Sequence, residues 1–317
     1  MGEAKQFRKR LEALTRQALS ETARGPASAD EIRRAMQRLR QLSRERRLQP
    51  ILYRRDLPQP SRSLPTYPVP PGEAVTLEQA VKGIEWRVPG WGRAYVIETR
   101  PAEQEEAPRG LRSALHRALS PEGFPLRRSL AQLSGSEAIL PGDLMFLDIE
   151  TTGLSGTPLF LIGTMQSEGG ELVVRQYFAR DYSEEAAVIV LGAELLARKK
   201  VLITFNGKSF DMPYLRTRAA ATGVRLCREP AHFDLLHACR RVWRGVLPDC
   251  RLQTLESRIC GRWRYGDIPS SEIPKAYHAY VHTGNAAVIV QILRHNTLDL
   301  VTMAELAVRF PLPAAAG

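Results

Sequence analysis

Asp148 and Glu150 stand two residues apart at the end of an apolar run, Leu144-Met145-Phe146-Leu147. On an extended strand both carboxylates leave the same face. Side by side they repel, and a divalent cation relieves the repulsion; hard oxygen donors of this kind suit Mg²⁺ or Mn²⁺. The plainer alternative is a pair of solvated acids at a strand end. Thr151-Thr152-Gly153 follows directly, and small residues let a bound group approach the backbone, which makes Thr151 and Thr152 candidate substrate contacts. Farther on, Asn206-Gly207-Lys208-Ser209-Phe210-Asp211 places a third carboxylate where a helix begins; the helix dipole favours an acid there with or without a chemical role. Asn206 and Lys208 are candidates for contacting a phosphate or terminal sugar, or else polar loop residues that cap the helix. His295 and Asp299 lie one helical turn apart and share a face, as a surface hydrogen bond or as catalytic groups.

The elements that must position these side chains are legible from residue 141 onward. Leu144–Asp148 has the composition of a buried strand. Leu159–Thr164 and Leu172–Phe178 read as two more, joined across the turn residues Glu168-Gly169-Gly170. Ser183 is expected to cap a helix through Ala186–Ala197, Val201–Phe205 is a fourth strand, and the remainder is expected to be mostly helical to Phe310. Three strands followed by helix, strand and helix predict an α/β protein with a ribonuclease-H-like mixed sheet, three antiparallel strands first, flanked by helices. A uniformly doubly wound sheet does not fit that order.

Taken together, Asp148-x-Glu150, Asp211 and His295-x₃-Asp299 resemble the DEDD exonuclease superfamily. Phe233-Asp234-Leu235-Leu236-His237, Arg240-Arg241-x-Trp243, Leu252-x-x-Leu255-Glu256, Gly266-Asp267-Ile268-Pro269 and His295-Asn296-x-x-Asp299 resemble the YprB-type ribonuclease-H-like proteins. The segment from Asn206 to Leu215 is also similar to the proofreading exonuclease motif of family B DNA polymerases. One departure is that histidine takes the four-residue spacing that the superfamily gives to tyrosine. The resemblance implies a 3′→5′ exonuclease using two divalent metal ions, Mg²⁺ or Mn²⁺. It implies Asp148 bridging both ions, Glu150 and Asp299 completing one site, Asp211 supporting the other, and His295 taking a proton from water. An unperturbed imidazole, with a pKa of about 6.5, would do so near neutral pH. The same site on an open cleft would serve a structure-selective endonuclease. A non-catalytic nucleic-acid-binding module ranks ahead of that endonuclease as the second reading, although it gains nothing from four acids beside a phosphate.

The rest of the chain carries less chemistry. A net charge of +11 and a pI near 9.8 favour polyanionic partners, nucleic acid above all. Residues 1–56 hold 15 Lys/Arg against 7 Asp/Glu and read as a basic helical hairpin. Prolines at 58, 60, 65, 68, 70 and 71 make 57–72 a linker. Residues 73–140 are expected as a small α+β prelude with a strand at Ala94–Glu98 and a helix near Leu111–Leu119, and 141–312 as the ribonuclease-H-like domain. Arg240, Arg241, Arg244, Arg262 and Arg264 alternate with Trp243, Trp263 and Tyr265. That mixture can pair with phosphates and stack bases, or it can be surface arginines over core aromatics. No apolar run reaches the roughly 20 residues that span a bilayer, and Cys227, Cys239, Cys250 and Cys260 form no Cys-x-x-Cys pair. Reduced thiols and a charged N-terminus point to the cytoplasm.

Overall fold

Alternation of apolar residues along β3 (Leu144–Thr151) divides the core in two. The computed structural model describes residues 74–103, 108–120, 126–136, 138–154, 156–226 and 229–309; the expected basic hairpin and the proline linker lie outside them. Met145, Leu147 and Ile149 enter one apolar layer, with α4 (Glu185–Ala197), α5 (Asp211–Thr222) and α8 (Ile273–Thr283). Leu144 and Phe146 enter the other, with α2 (Leu111–Leu119), α3 (Leu126–Ser134), α6 (Leu235–Trp243) and the C-terminal half of α9 (Ile289–Arg309). Asp148 and Glu150 continue the row of Leu144 and Phe146, so they face the layer that contains α9.

Among the described residues the sheet has seven strands, in the order β1 (Ile84–Val88), β2 (Gly92–Thr99), β5 (Glu171–Phe178), β4 (Leu159–Glu168), β3, β6 (Val201–Thr204) and β7 (Ala231–Asp234). β4 (Leu159–Glu168) pairs antiparallel with β3 and with β5 (Glu171–Phe178), across a turn whose Gly169 and Gly170 have φ of 55° and 84°. That left-handed backbone favours glycine at both places. β6 (Val201–Thr204) then runs parallel to β3, and this mixed antiparallel and parallel pairing is the ribonuclease-H-like arrangement anticipated from the order of elements.

Three details differ from expectation. A further strand, β7 (Ala231–Asp234), extends the parallel side beyond β6; its four residues are too few and too polar to show a strand period. Asp181, not Ser183, caps the turn before α4, its carboxylate accepting from the Ser183 N–H at 2.8 Å. Residues 73–140 do not stand apart as a prelude, because β1 (Ile84–Val88) and β2 (Gly92–Thr99) form one edge of the same sheet through β2–β5 pairing. Before β1, α1 (Leu77–Ala80) is a single turn closed by a Thr76/Gln79 capping box. Among the described residues no helix is long and apolar enough to cross a membrane, and Cys239, Cys250 and Cys260 are free thiols.

Candidate active site

Asp148 lies opposite Gly163 on β4, and Gly163 lies opposite Gln176 on β5. The central position of this row is vacant of side chain for a reason. Asn296, fully buried on α9, fills the space, and a Cβ on Gly163 would meet its Oδ1 at 1.9 Å. The Asn296 amide donates to Asp148 Oδ2 at 2.8 Å, and its oxygen accepts from Gln176 Nε2 at 2.8 Å. Gln176 Nε2 also donates to the Leu293 carbonyl at 2.7 Å. One carboxylate oxygen of Asp148 is thus fixed by a chain of buried amides reaching across three strands.

Asp211 opens α5 and turns back to accept from the Ile149 N–H at 3.2 Å, which ties it to β3 between the other two acids. The loop that delivers it is folded by Asp234 at the end of β7. That carboxylate accepts from the backbone N–H groups of Asn206 at 2.9 Å, Lys208 at 3.0 Å and Leu236 at 3.0 Å. Asn206 sits at φ 65°, a left-handed conformation that asparagine adopts more readily than most residues, and its carbonyl accepts from Phe210 N at 3.0 Å.

His295 and Asp299 come from the middle of α9. Asp267, on the segment before α8, accepts from His295 Nδ1 at 2.9 Å, so Nδ1 carries a proton and Nε2 is left to face the acids. Nε2 lies 3.6 Å from Asp299 Oδ2 and 3.4 Å from the Ser270 hydroxyl. Asp299 is also bound by Arg264, at 2.6 Å, and the same guanidinium reaches Glu256 at 2.5 Å and Asp267 at 3.2 Å. Arg262 spans Glu256 and Glu305 at 2.8 and 2.7 Å.

The electrostatics show four carboxylates that feel one another. Burial, then the charges of Asp299, Glu150 and Asp211, push Asp148 well above the usual carboxylate range, while the Asn296 hydrogen bond opposes the rise. Burial raises Glu150 to about 8 against the pull of His295. Burial raises Asp211 to about 7, although backbone N–H donors hold it down in part. Burial would lower His295, but the Asp267 hydrogen bond and the charges of Asp299 and Glu150 outweigh it and lift the imidazole to about 8. The unperturbed value expected for this histidine is therefore corrected upward, and without added positive charge it is largely protonated at neutral pH. Burial likewise opposes ionisation of Asp267, yet His295 and Arg264 keep its carboxyl below the usual range.

Among the described residues no three acidic, imidazole or thiol groups converge tightly enough to form a ready-made ion cage. Three of the acids are turned toward donors of the protein, Asp148 toward the Asn296 amide, Asp211 toward Ile149 N–H and Asp299 toward Arg264. The chemistry of the donor set nevertheless fits Mg²⁺ or Mn²⁺: hard carboxylate oxygens gathered at one place, those of Asp211 buried and those of Asp148, Glu150 and Asp299 half-buried.

The five residues expected to do chemistry are thus linked by hydrogen bonds or charge into one cluster. The expected substrate contacts divide. Asn206 and Lys208 are exposed on the loop before Asp211, whereas the threonine hydroxyls are engaged within the chain, Thr151 to the Gly153 carbonyl at 2.8 Å and Thr152 to that of Pro158 at 3.0 Å. Small size at these positions serves the β3–β4 connection. The arginines also differ from expectation: Arg262 and Arg264 are the inward residues and Trp263 and Tyr265 the exposed ones. Gly163 and Gln176 had no signal as isolated residues, while Asp234, Asp267 and Asn296 lay inside the motifs named above without an assigned role.

Fold and site together define a ribonuclease-H-like protein with an acidic centre at the C-terminal end of β3. Residues 145–310 match the RNase H superfamily model, and the chain belongs to that superfamily. Within it the chain is similar to Uncharacterized protein YprB of Bacillus subtilis (strain 168), 32% identical over 171 residues that cover 52% of this chain and 41% of that one. A DNA polymerase of Pyrococcus glycovorans is 28% identical over 171 residues, 44% of this chain and 21% of the polymerase. The chain therefore spans less than half the length of these curated relatives. The family B DNA polymerase of the archaeon Pyrobaculum calidifontis aligns in structure with a TM-score of 0.43 at 19% identity, over 54% of this chain and 25% of the polymerase.

Proposed function

We propose that this chain is a metal-dependent nuclease that removes nucleotides from the 3′ end of single-stranded nucleic acid. The observation that carries this reading is the gathering of Asp148, Glu150, Asp211 and Asp299 from β3, α5 and α9 into one cluster, in which Asp148, Glu150 and Asp211 resist ionisation. Crowding carboxylates in one half-buried cluster costs stability when they ionise, a cost that bound cations would offset. Two divalent ions held by these four acids would neutralise charge on the scissile phosphate and ionise the attacking water.

The protein's own groups do the rest. Asn296 fixes the orientation of Asp148, so that one of its oxygens keeps a constant position. Asp267 fixes the imidazole of His295, so that Nε2 accepts the proton lost by water. Lys208 and Asn206 hold the phosphate or terminal sugar of the strand, and Leu154, 90% exposed just beyond β3, offers an apolar contact to a terminal base.

The test is product length against time on end-labelled single-stranded DNA and RNA with Mg²⁺ or Mn²⁺, with Asp148→Asn in parallel. Stepwise shortening from the 3′ end, lost by about a thousandfold or more in the variant, is the expected result. Discrete internal fragments would convert the assignment to an endonuclease, and binding without cleavage would leave a non-catalytic module.

A further inference from the structure

Residues 262–265 alternate in burial as an extended strand does, but with the usual polarity reversed. Arg262 and Arg264 point inward, with side chains 16% and 6% exposed, and Trp263 and Tyr265 point outward, 58% and 82% exposed. Large aromatic surface in water costs about 25 cal/mol per Å² relative to burial, and two such side chains in one short segment ask for an occupant. Their supports are stiff. Arg262 is tied to Glu256, Glu305 and Thr302, and Arg264 to Glu256, Asp267 and Asp299. Arg264 binds Asp299 directly at 2.6 Å, and Asp267, two residues past Tyr265, holds His295 at 2.9 Å. One residue that touches the acidic centre, Arg264, therefore lies between the two aromatics, and a second, Asp267, follows them two residues on.

We propose that Trp263 and Tyr265 form a base-stacking platform at the edge of the acidic centre, for the unpaired bases of a single-stranded nucleic acid. The proposal rests on the nuclease reading for its ligand and adds where the strand lies. Phosphates must pass the acids, and the attached bases then need a surface that is apolar, rigid and indifferent to base identity. Aromatic rings supply such a surface because every base has a π-face. Rings on a segment fixed by buried ion pairs lose little entropy on binding, which flexible loop aromatics would lose. A duplex end presents no free base faces along its strand and should gain little from the platform.

The experiment is equilibrium binding of fluorescently labelled oligothymidylate, as DNA and as RNA, to the full chain in EDTA, where cleavage is blocked. An abasic oligomer of equal length serves as the second ligand. Trp263→Ala and Tyr265→Ala are each expected to weaken binding of the intact strand about 5- to 100-fold, with Trp263→Phe restoring most of the loss. Both alanine variants should keep the wild-type Tm, because neither ring is packed in the core. The wild type should bind the abasic strand about as weakly as the variants bind the intact one. Equal affinity of wild type and alanine variants for the intact strand, or equal affinity of the wild type for intact and abasic strands, overturns the platform. Base-dependent binding lost in the variants, in a wild type that never cleaves with Mg²⁺ or Mn²⁺, keeps the platform and removes the nuclease.

Discussion

At the scale of single residues, spacing was a good guide to the acids and a poor guide to what acts on them. Period two on a strand and one turn on a helix suffice to put Asp148 beside Glu150 and His295 beside Asp299. Nothing local in Gly266-Asp267-Ile268-Pro269 shows that its carboxylate meets an imidazole 28 residues away, because the segment is irregular and the contact is made by the fold. Asp267 decides the state of His295. With the imidazole raised to about 8, NMR titration of the metal-free protein should give a midpoint near 8. Addition of Mg²⁺ should lower it, since positive charge on Glu150 and Asp299 cancels two of the influences that raise it. In Asp267→Asn the metal-free midpoint should also fall, and the rate of cleavage should drop by about a hundredfold or more as the ring loses its fixed orientation. A midpoint unmoved by both changes would show that His295 does not face the acidic centre.

At the scale of elements, the strands and long helices followed from their apolar periods, and the junctions did not. β7 escaped notice because four residues, Ala231–Asp234, give no measurable alternation; its place is set by pairing with β6. Gly163 is the more instructive case. In sequence it is one glycine in an apolar strand, and only the packing of α9 on β4 shows that its missing side chain makes room for Asn296. A methyl group there must displace a buried amide that is bonded on both sides. Gly163→Ala should therefore cost about 1–3 kcal/mol of stability and lower cleavage as much as Asn296→Ala does, because in each case Asp148 loses its fixed partner. Combining Gly163→Ala with Asn296→Ala removes the clash. Chemical denaturation should show the double variant more stable than the sum of the two single losses predicts, while its activity stays low. Additive losses would mean that the glycine has some other function.

At the scale of the whole molecule, the acidic centre is a stability problem that the rest of the fold must carry. Asp148, Glu150 and Asp211 hold protons more tightly when folded than when unfolded. Between about pH 4 and pH 8, unfolding therefore releases protons, and stability falls as pH rises. His295 acts in the same direction over the upper part of the range: its folded pKa of about 8 contributes stability below about 6.5 that is lost as the pH passes 8. His232, pulled down to about 4 by burial, acts in the opposite sense by costing stability as pH falls from about 6.5 to 4, so the net slope is shallower than the acids alone would give. Divalent ions change the balance because they bind the ionised carboxylates and compete with protons. The metal-free protein should melt roughly 5–10 °C lower at pH 8 than at pH 6. Saturating Mg²⁺ or Mn²⁺ should recover most of that difference at pH 8 and little at pH 5, where protons already neutralise the cluster. Replacing Glu150 by Gln removes one of the charges, so the variant should melt higher than the wild type at pH 8 without metal and respond less to its addition. A metal increment that is the same at pH 5 and pH 8, or that survives in full in Glu150→Gln, would place the ion-binding carboxylates elsewhere in the chain.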